Sequence, residues 1–221
     1  GSGALCHRTG VRAARLRSLL MGLFEEQTFA LPLCEGRQGE IRFWPNWLSS
    51  AGADSLLSQA IDNVPWRQDT IHIAGKAIPL PRLQQWYGKV GTSYTYSNIR
   101  LAALAFPDWL DTVRGTIERD TGMPFNRALV NYYRSGADSV DWHADDEAEL
   151  GPEPVIASLS VGEERVFQMR HTETQQQLSI VLPHGSLLVM GAGIQAYWQH
   201  RVAKDKCATA ARVNFTFRYM A

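Results

Sequence analysis

The sequence predicts an α+β chain with a double-sheet jelly-roll core, a double-stranded β-helix, and helices packed outside it. Three observations carry this expectation. Two segments with helical periodicity come first, eight short segments with period-two alternation follow Met123, and polar or glycine-bearing turns separate several of those. At 221 residues, the chain has room for one sizeable domain.

In chain order, residues 1–20 hold Arg8, Arg12, Arg15 and Arg17 and no acid, as a transit peptide would. Met21 as a native start is the plainer reading, with upstream sequence before it, so residues 1–20 are expected to stand outside the fold. A single domain is expected over 21–221. Ile41–Trp44 reads as a strand, and Ser50–Ile61 as a helix with Leu56, Leu57, Ala60 and Ile61 on one side. Val64–Gly91 reads as irregular, punctuated by Pro65, Gly75, Pro79, Pro81 and Gly88, the kind of segment that serves binding. A second helix is expected over Pro107–Thr121, with Pro107 in its first turn and Gly122 at its exit. The eight strands are expected at 128–134, 140–144, 155–161, 165–170, 177–182, 186–190, 197–203 and 211–219.

Composition narrows the function. No apolar run approaches the roughly 20 residues that cross a bilayer, so no membrane role is expected. Three cysteines without paired spacing point to neither a disulfide framework nor a cysteine zinc site, and a reducing, cytoplasmic setting follows. Charge is balanced at 22 basic and 22 acidic residues, which excludes a uniformly basic coat. Six of the acids fall between Asp141 and Glu153, where no base occurs. The remaining body is therefore mildly basic around an acidic segment, an arrangement suited to a cation inside and a polyanion outside.

His143-Ala144-Asp145 places an imidazole and a carboxylate on one face of an extended segment, in reach of one ion. His171-Thr172-Glu173 has the same form but sits in a polar turn. His200 falls in a later strand that can return beside the first pair, and His184, in a Pro-His-Gly turn, competes with it as third ligand. Two histidines and one carboxylate with open positions opposite make the facial triad of non-haem Fe(II) oxygenases. In Arg212-Val213-Asn214-Phe215-Thr216-Phe217-Arg218, alternation puts Arg212, Asn214, Thr216 and Arg218 on one face and the apolar residues on the other. Two guanidiniums on an interior face need anionic partners, and a dicarboxylate supplies one carboxylate for each. An edge strand with a solvated polar face is the alternative. Asn131 and Tyr133 share a strand face and can project into one pocket.

With Asn131-Tyr132-Tyr133, His143-Ala144-Asp145, His200 and the Arg212–Arg218 strand in this order, the chain resembles the AlkB-like 2-oxoglutarate- and Fe(II)-dependent dioxygenases from about Ile41 to Tyr219. It looks closest to the homologues that repair alkylated DNA. The resemblance implies that His143, Asp145 and His200 ligate Fe(II). It implies that Arg212 and Arg218 hold 2-oxoglutarate, helped by Asn131, Tyr133, Asn214 and Thr216, with O2 as the other co-substrate. It implies a nucleotide-recognition lid over 64–100 on a catalytic core over 123–221. In that lid Tyr94 and Tyr96, together with Glu147 from the core, would contact an extruded base, and Arg82 and Lys76 would contact phosphates.

The implied activity is oxidative dealkylation of 1-methyladenine and 3-methylcytosine in DNA, releasing an aldehyde, succinate and CO2. The same chemistry on RNA or on a protein side chain, and a catalytically silent nucleic-acid-binding jelly roll, are the rival readings. Ala74 stands where some duplex-acting relatives carry a bulky aromatic finger, and an alanine cannot fill a vacated base stack. Single strands are therefore expected to serve at least as well as duplex. A monomer is expected, cytoplasmic and nucleoid-associated in a bacterium or nuclear in a eukaryote.

Overall fold

The structure, a computed structural model, describes residues 26–73, 75–91, 93–96 and 99–220. The expectations about residues 1–20 and Ala74 lie outside the described residues. In chain order the elements are β1 (Gln27–Pro32), β2 (Gln38–Trp44), α1 (Ser50–Asn63), β3 (Thr70–Ile73), β4 (Lys76–Pro79), β5 (Leu83–Tyr87), β6 (Ser93–Tyr96) and β7 (Ile99–Ala102). There follow α2 (Asp108–Thr121), β8 (Arg127–Tyr133), β9 (Val140–His143), β10 (Ile156–Gly162), β11 (Arg165–His171), β12 (Gln177–Leu182) and β13 (Ser186–Met190). The chain closes with a single helical turn, α3 (Ile194–Tyr197), then β14 (Trp198–Val202) and β15 (Arg212–Arg218).

All eight expected strands form, with ends shifted by a residue or two, and they build two antiparallel sheets. The major sheet runs β1-β2-β13-β10-β15-β8-β5 and the minor sheet β12-β11-β14-β9. Both expected helices form as well. Ser49 caps α1, its hydroxyl accepting from the Gly52 N–H at 3.2 Å. Pro107 is the residue just before α2 rather than in its first turn, and Gly122 ends that helix at φ 73°, in the left-handed region.

Two cores follow from strand alternation in the major sheet. On its outer face Val213, Phe215 and Phe217 of β15 pack with Ala128, Val130, Leu159 and Leu187 against Leu56, Ala60, Leu110 and Ile117 of the helices. On its inner face Leu129, Leu188 and Met190 meet Phe167, Met169, Trp198 and Val202 of the minor sheet. The functional cavity lies within this second layer.

Val64–Gly91 departs from the irregular segment expected. It holds the β3–β4 hairpin and β5, a strand of the major sheet paired with β8 from Leu83↔Tyr132 to Tyr87↔Ala128. Gln84 and Gln85 hide that strand in the sequence, because a buried Leu-Gln-Gln-Trp-Tyr segment lacks clean alternation. Both side-chain nitrogens donate, Gln84 to Asp69 at 2.8 Å and Gln85 to the Pro65 carbonyl at 2.7 Å. Cys34 is a free, partly buried thiol.

Phe215 is fully buried and meets Trp109 edge-on, with ring centroids 6.2 Å apart. Phe215→Ala is expected to lower unfolding free energy by about 3–5 kcal/mol in a denaturant titration.

Candidate metal and co-substrate site

Strands β9 and β14 are neighbours in the minor sheet, and their register sets His143 directly opposite His200. The two imidazole centroids stand 4.3 Å apart. Asp145 lies two residues beyond β9 and is buried at 1% exposure. The ligand atoms of His143, Asp145 and His200 all fall within 4.8 Å of one another. His143 Nδ1 lies 2.7 Å from the Asp141 carbonyl, which only accepts, so Nδ1 carries the proton and Nε2 is left with its lone pair for a metal.

Asp145 is fixed from two sides. Its N–H donates to Gln195 of α3 at 2.9 Å, and its Oδ1 accepts from Arg218 at 2.7 Å. Burial would raise the Asp145 pKa, but Arg218, His200 and His143 together bring it down to about 2. Burial, and then the neighbouring His143, push His200 down to about 3. His143 is lowered as well, chiefly by burial. The site therefore offers two neutral imidazoles and one carboxylate at neutral pH, the protonation states that metal binding requires.

One cavity is lined by these three residues together with Asn131, Tyr133, Arg212, Asn214, Thr216 and Arg218. Every residue expected to hold the metal or 2-oxoglutarate is thus brought to the same place. Arg212 sits opposite Tyr133 in the β8–β15 register, at 2% exposure, with its guanidinium 5.0 Å from the Tyr133 ring centroid. One of its nitrogens donates to Ser160 at 2.9 Å, while Nε and the other terminal nitrogen find no partner among the described residues. A buried cation with unsatisfied donors fits a carboxylate from outside the protein.

Arg218 lines the same cavity and donates from one of its nitrogens to Asp145. Asn214 and Thr216 form a polar ladder between β15 and β10: Thr216 donates to Asn214 at 2.8 Å and Asn214 to Ser158 at 2.8 Å.

The rival histidines serve turns instead. His184 Nδ1 accepts from the Gly162 N–H at 2.7 Å, and His171 Nδ1 accepts from the N–H groups of Glu173 and Thr174, each at 3.2 Å. Arg82, just before β5, lines a second cleft beside His143. It is 4% exposed and donates to Asn131 Oδ1 and the Ser139 carbonyl, each at 3.2 Å, because β5 draws it inside. Lys76 is exposed at the start of β4. Glu147 does not continue the extended series from His143, since β9 stops there and Glu147 heads a short 3-10 turn, Ala148–Leu150. The side chains of Tyr94 and Tyr96, on β6, lie outside the described residues. Sequence reasoning missed Gln195 and Ser160, which act on the site from other strands or turns and carry no local signal.

Asp145→Ala is expected to abolish Mn(II) binding in calorimetry. It should also cost the metal-free protein about 3–5 kcal/mol, since Arg218 stays buried without its partner. Acid should act with the same sign. The His200 contribution is complete above its ordinary value of 6.5 and is lost as pH falls toward about 3. Asp145 adds its own loss between 3.8 and about 2. Metal-free protein should thus lose denaturant resistance steadily as pH drops below neutral.

Comparison with known proteins agrees with this geometry. Residues 40–218 match the family model described as 2OG-Fe(II) oxygenase superfamily. The chain is 38% identical over 205 residues to the rat alpha-ketoglutarate-dependent dioxygenase alkB homolog 3, covering 87% of this chain and 68% of that protein. The human protein of that name is 39% identical, with 87% and 70% covered. The mouse DNA oxidative demethylase ALKBH2 is 36% identical over 179 residues, with 76% and 75% covered. A solved structure, "The structure of OsALKBH1", superposes with a TM-score of 0.58 at 16% identity, covering 81% of this chain and 97% of that one, a likeness of fold.

Proposed function

The chain belongs to the 2OG-Fe(II) oxygenase superfamily as a 2-oxoglutarate- and Fe(II)-dependent dioxygenase, and from that premise we propose that it removes alkyl groups oxidatively from damaged DNA bases. The observation that carries this reading is the buried His143, Asp145 and His200 cluster beside the unsatisfied guanidinium of Arg212 in one cavity. The names of the relatives, one of them a DNA oxidative demethylase, point the same way.

His143, Asp145 and His200 would hold the iron, which, with O2 and 2-oxoglutarate, supplies the oxidising power for hydroxylating an N-alkyl carbon. The protein's own part is positioning. Arg212 would take a carboxylate of the co-substrate, and Ser160 and Tyr133 keep its guanidinium in place. Arg218 and Gln195 fix Asp145, so that the carboxylate ligand does not swing away. Apolar walls from Leu129, Phe167, Met190 and Val202 limit water around the reacting centre.

The substrates are 1-methyladenine and 3-methylcytosine. Hydroxylation of the methyl carbon yields an adduct that collapses to the free base and formaldehyde, while 2-oxoglutarate becomes succinate and CO2. Alanine at position 74 favours single strands, because no bulky side chain there replaces a flipped base in the stack.

Iron-loaded protein is expected to strip the methyl mass from a 3-methylcytosine oligonucleotide in a 2-oxoglutarate-dependent way, read by mass spectrometry, with single strands at least equal to duplex. Loss of methyl from RNA alone would move the reading to RNA. No loss from either, with a working control enzyme, would end it. His143→Ala should abolish turnover and keep the fold. Arg212→Gln should raise the KM for 2-oxoglutarate about 10- to 150-fold, the loss of one hydrogen bond to a charged group at about 1.5–3 kcal/mol.

A further inference from the structure

The outer face of the minor sheet carries an arrangement that the iron site does not use. His143 and Arg201 both line a second cleft of about 410 Å³ with Ile71, Leu80, Trp142 and Lys204, so this cleft runs from the metal site to the surface. Its volume is of the order of a single nucleotide. Trp142, which lines the cleft, is met by the guanidiniums of Arg170 and Arg201, each 4.4 Å from its ring centroid.

Two like charges at one indole repel each other, and the cation–π attraction of each offsets only part of that. The cross-strand register adds a second fact. Arg170 stands opposite Gln199 and donates to its amide oxygen at 3.0 Å, while Arg201 stands opposite Gln168 and donates to its amide oxygen at 2.7 Å. Glutamine in both places orients a guanidinium without neutralising it. Among the described residues neither arginine is ion-paired, and both are partly exposed. The carboxylate lining the cleft, Asp141, accepts from the Trp142 N–H at 2.8 Å.

We propose that Arg170 and Arg201, aligned on Trp142, bind the backbone phosphates of the single DNA strand that delivers its damaged base to the iron. The proposal rests on the DNA reading above and names where the strand lies. Because the Trp142 ring is already met by two guanidiniums, the platform reads phosphate and not base identity. Lys204 extends the same positive track along the cleft.

The test uses an unmodified, fluorescently labelled single-stranded oligonucleotide and anisotropy at a series of salt concentrations. For the double variant Arg170→Gln with Arg201→Gln, the slope of log affinity against log salt should shrink by about 1.4, at ~0.7 for each phosphate no longer neutralised. The KM for a 3-methylcytosine strand should rise while kcat holds. Gln168→Glu with Gln199→Glu leaves the stack in place and neutralises it, and should weaken binding likewise, so the proposal survives any misfolding of the first variant. Unchanged slopes in both variants would overturn it. So would a loss of Mn(II) affinity with intact oligonucleotide binding, which would mark the stack as a brace for β9. Polyglutamate displacing the strand from the parent protein but not from the variants would reassign the surface to acidic peptide. If the parent never demethylates the oligonucleotide, the DNA reading fails instead, a separate result.

Discussion

Arg218 at the end of β15 and Asp145 beyond the end of β9 lie 2.7 Å apart at 2% and 1% side-chain exposure, and this contact joins the two sheets across the cavity they enclose. Desolvating both charges is costly, so the pair is a weak source of stability but a strong constraint on geometry. Any displacement of Asp145 breaks a buried charge pair. The carboxylate is thereby held near two imidazoles whose own placement comes from the His143↔His200 register. Metal geometry in this fold is thus a consequence of sheet geometry. The three candidate ligands depend on one ladder, one ion pair and the Gln195 amide.

Strand β15 does two jobs because alternation separates them. Val213, Phe215 and Phe217 fill the helix-covered core, while Arg212, Asn214, Thr216 and Arg218 line the cavity. A one-residue slip would put two guanidiniums into the helix layer and three apolar side chains into the site. Neighbouring strands lock that register. Asn214 reaches Ser158 on β10, and β8 sets Tyr133 opposite Arg212. Of the two cations on the polar side, one is matched internally by Asp145 and the other keeps two nitrogens without a partner among the described residues.

The legible parts of the sequence were those in which chemistry and periodicity coincide locally. The strand spacing after Met123 and the His143, Asp145 and Arg212–Arg218 signals each sit within a few residues, and His200 followed from a strand returning beside them. Less was legible where a residue acts through a partner distant in the chain. Arg82 reads as a basic loop residue, yet β5 turns it inward to hold Asn131, 49 positions away. Gln195 reads as an ordinary polar residue, yet its amide anchors Asp145, 50 positions away. Glu147 follows the extended pattern in sequence, but a strand ends where its ladder ends, and β9 has no partner beyond His143 among the described residues.

The same logic explains why the polar residues of the cavity remain imperfectly satisfied. His200 Nδ1 and two nitrogens of Arg212 are buried without partners among the described residues, each at a cost to the folded state. Folding alone gives no reason to keep them, since apolar replacements of similar shape would be neutral or stabilising. The helix-side core, built from the fully buried Ile117, Leu159 and Phe215, offsets that cost from a separate layer. The major sheet therefore divides two roles, its outer face stabilising the fold and its inner face carrying the polar residues of the cavity.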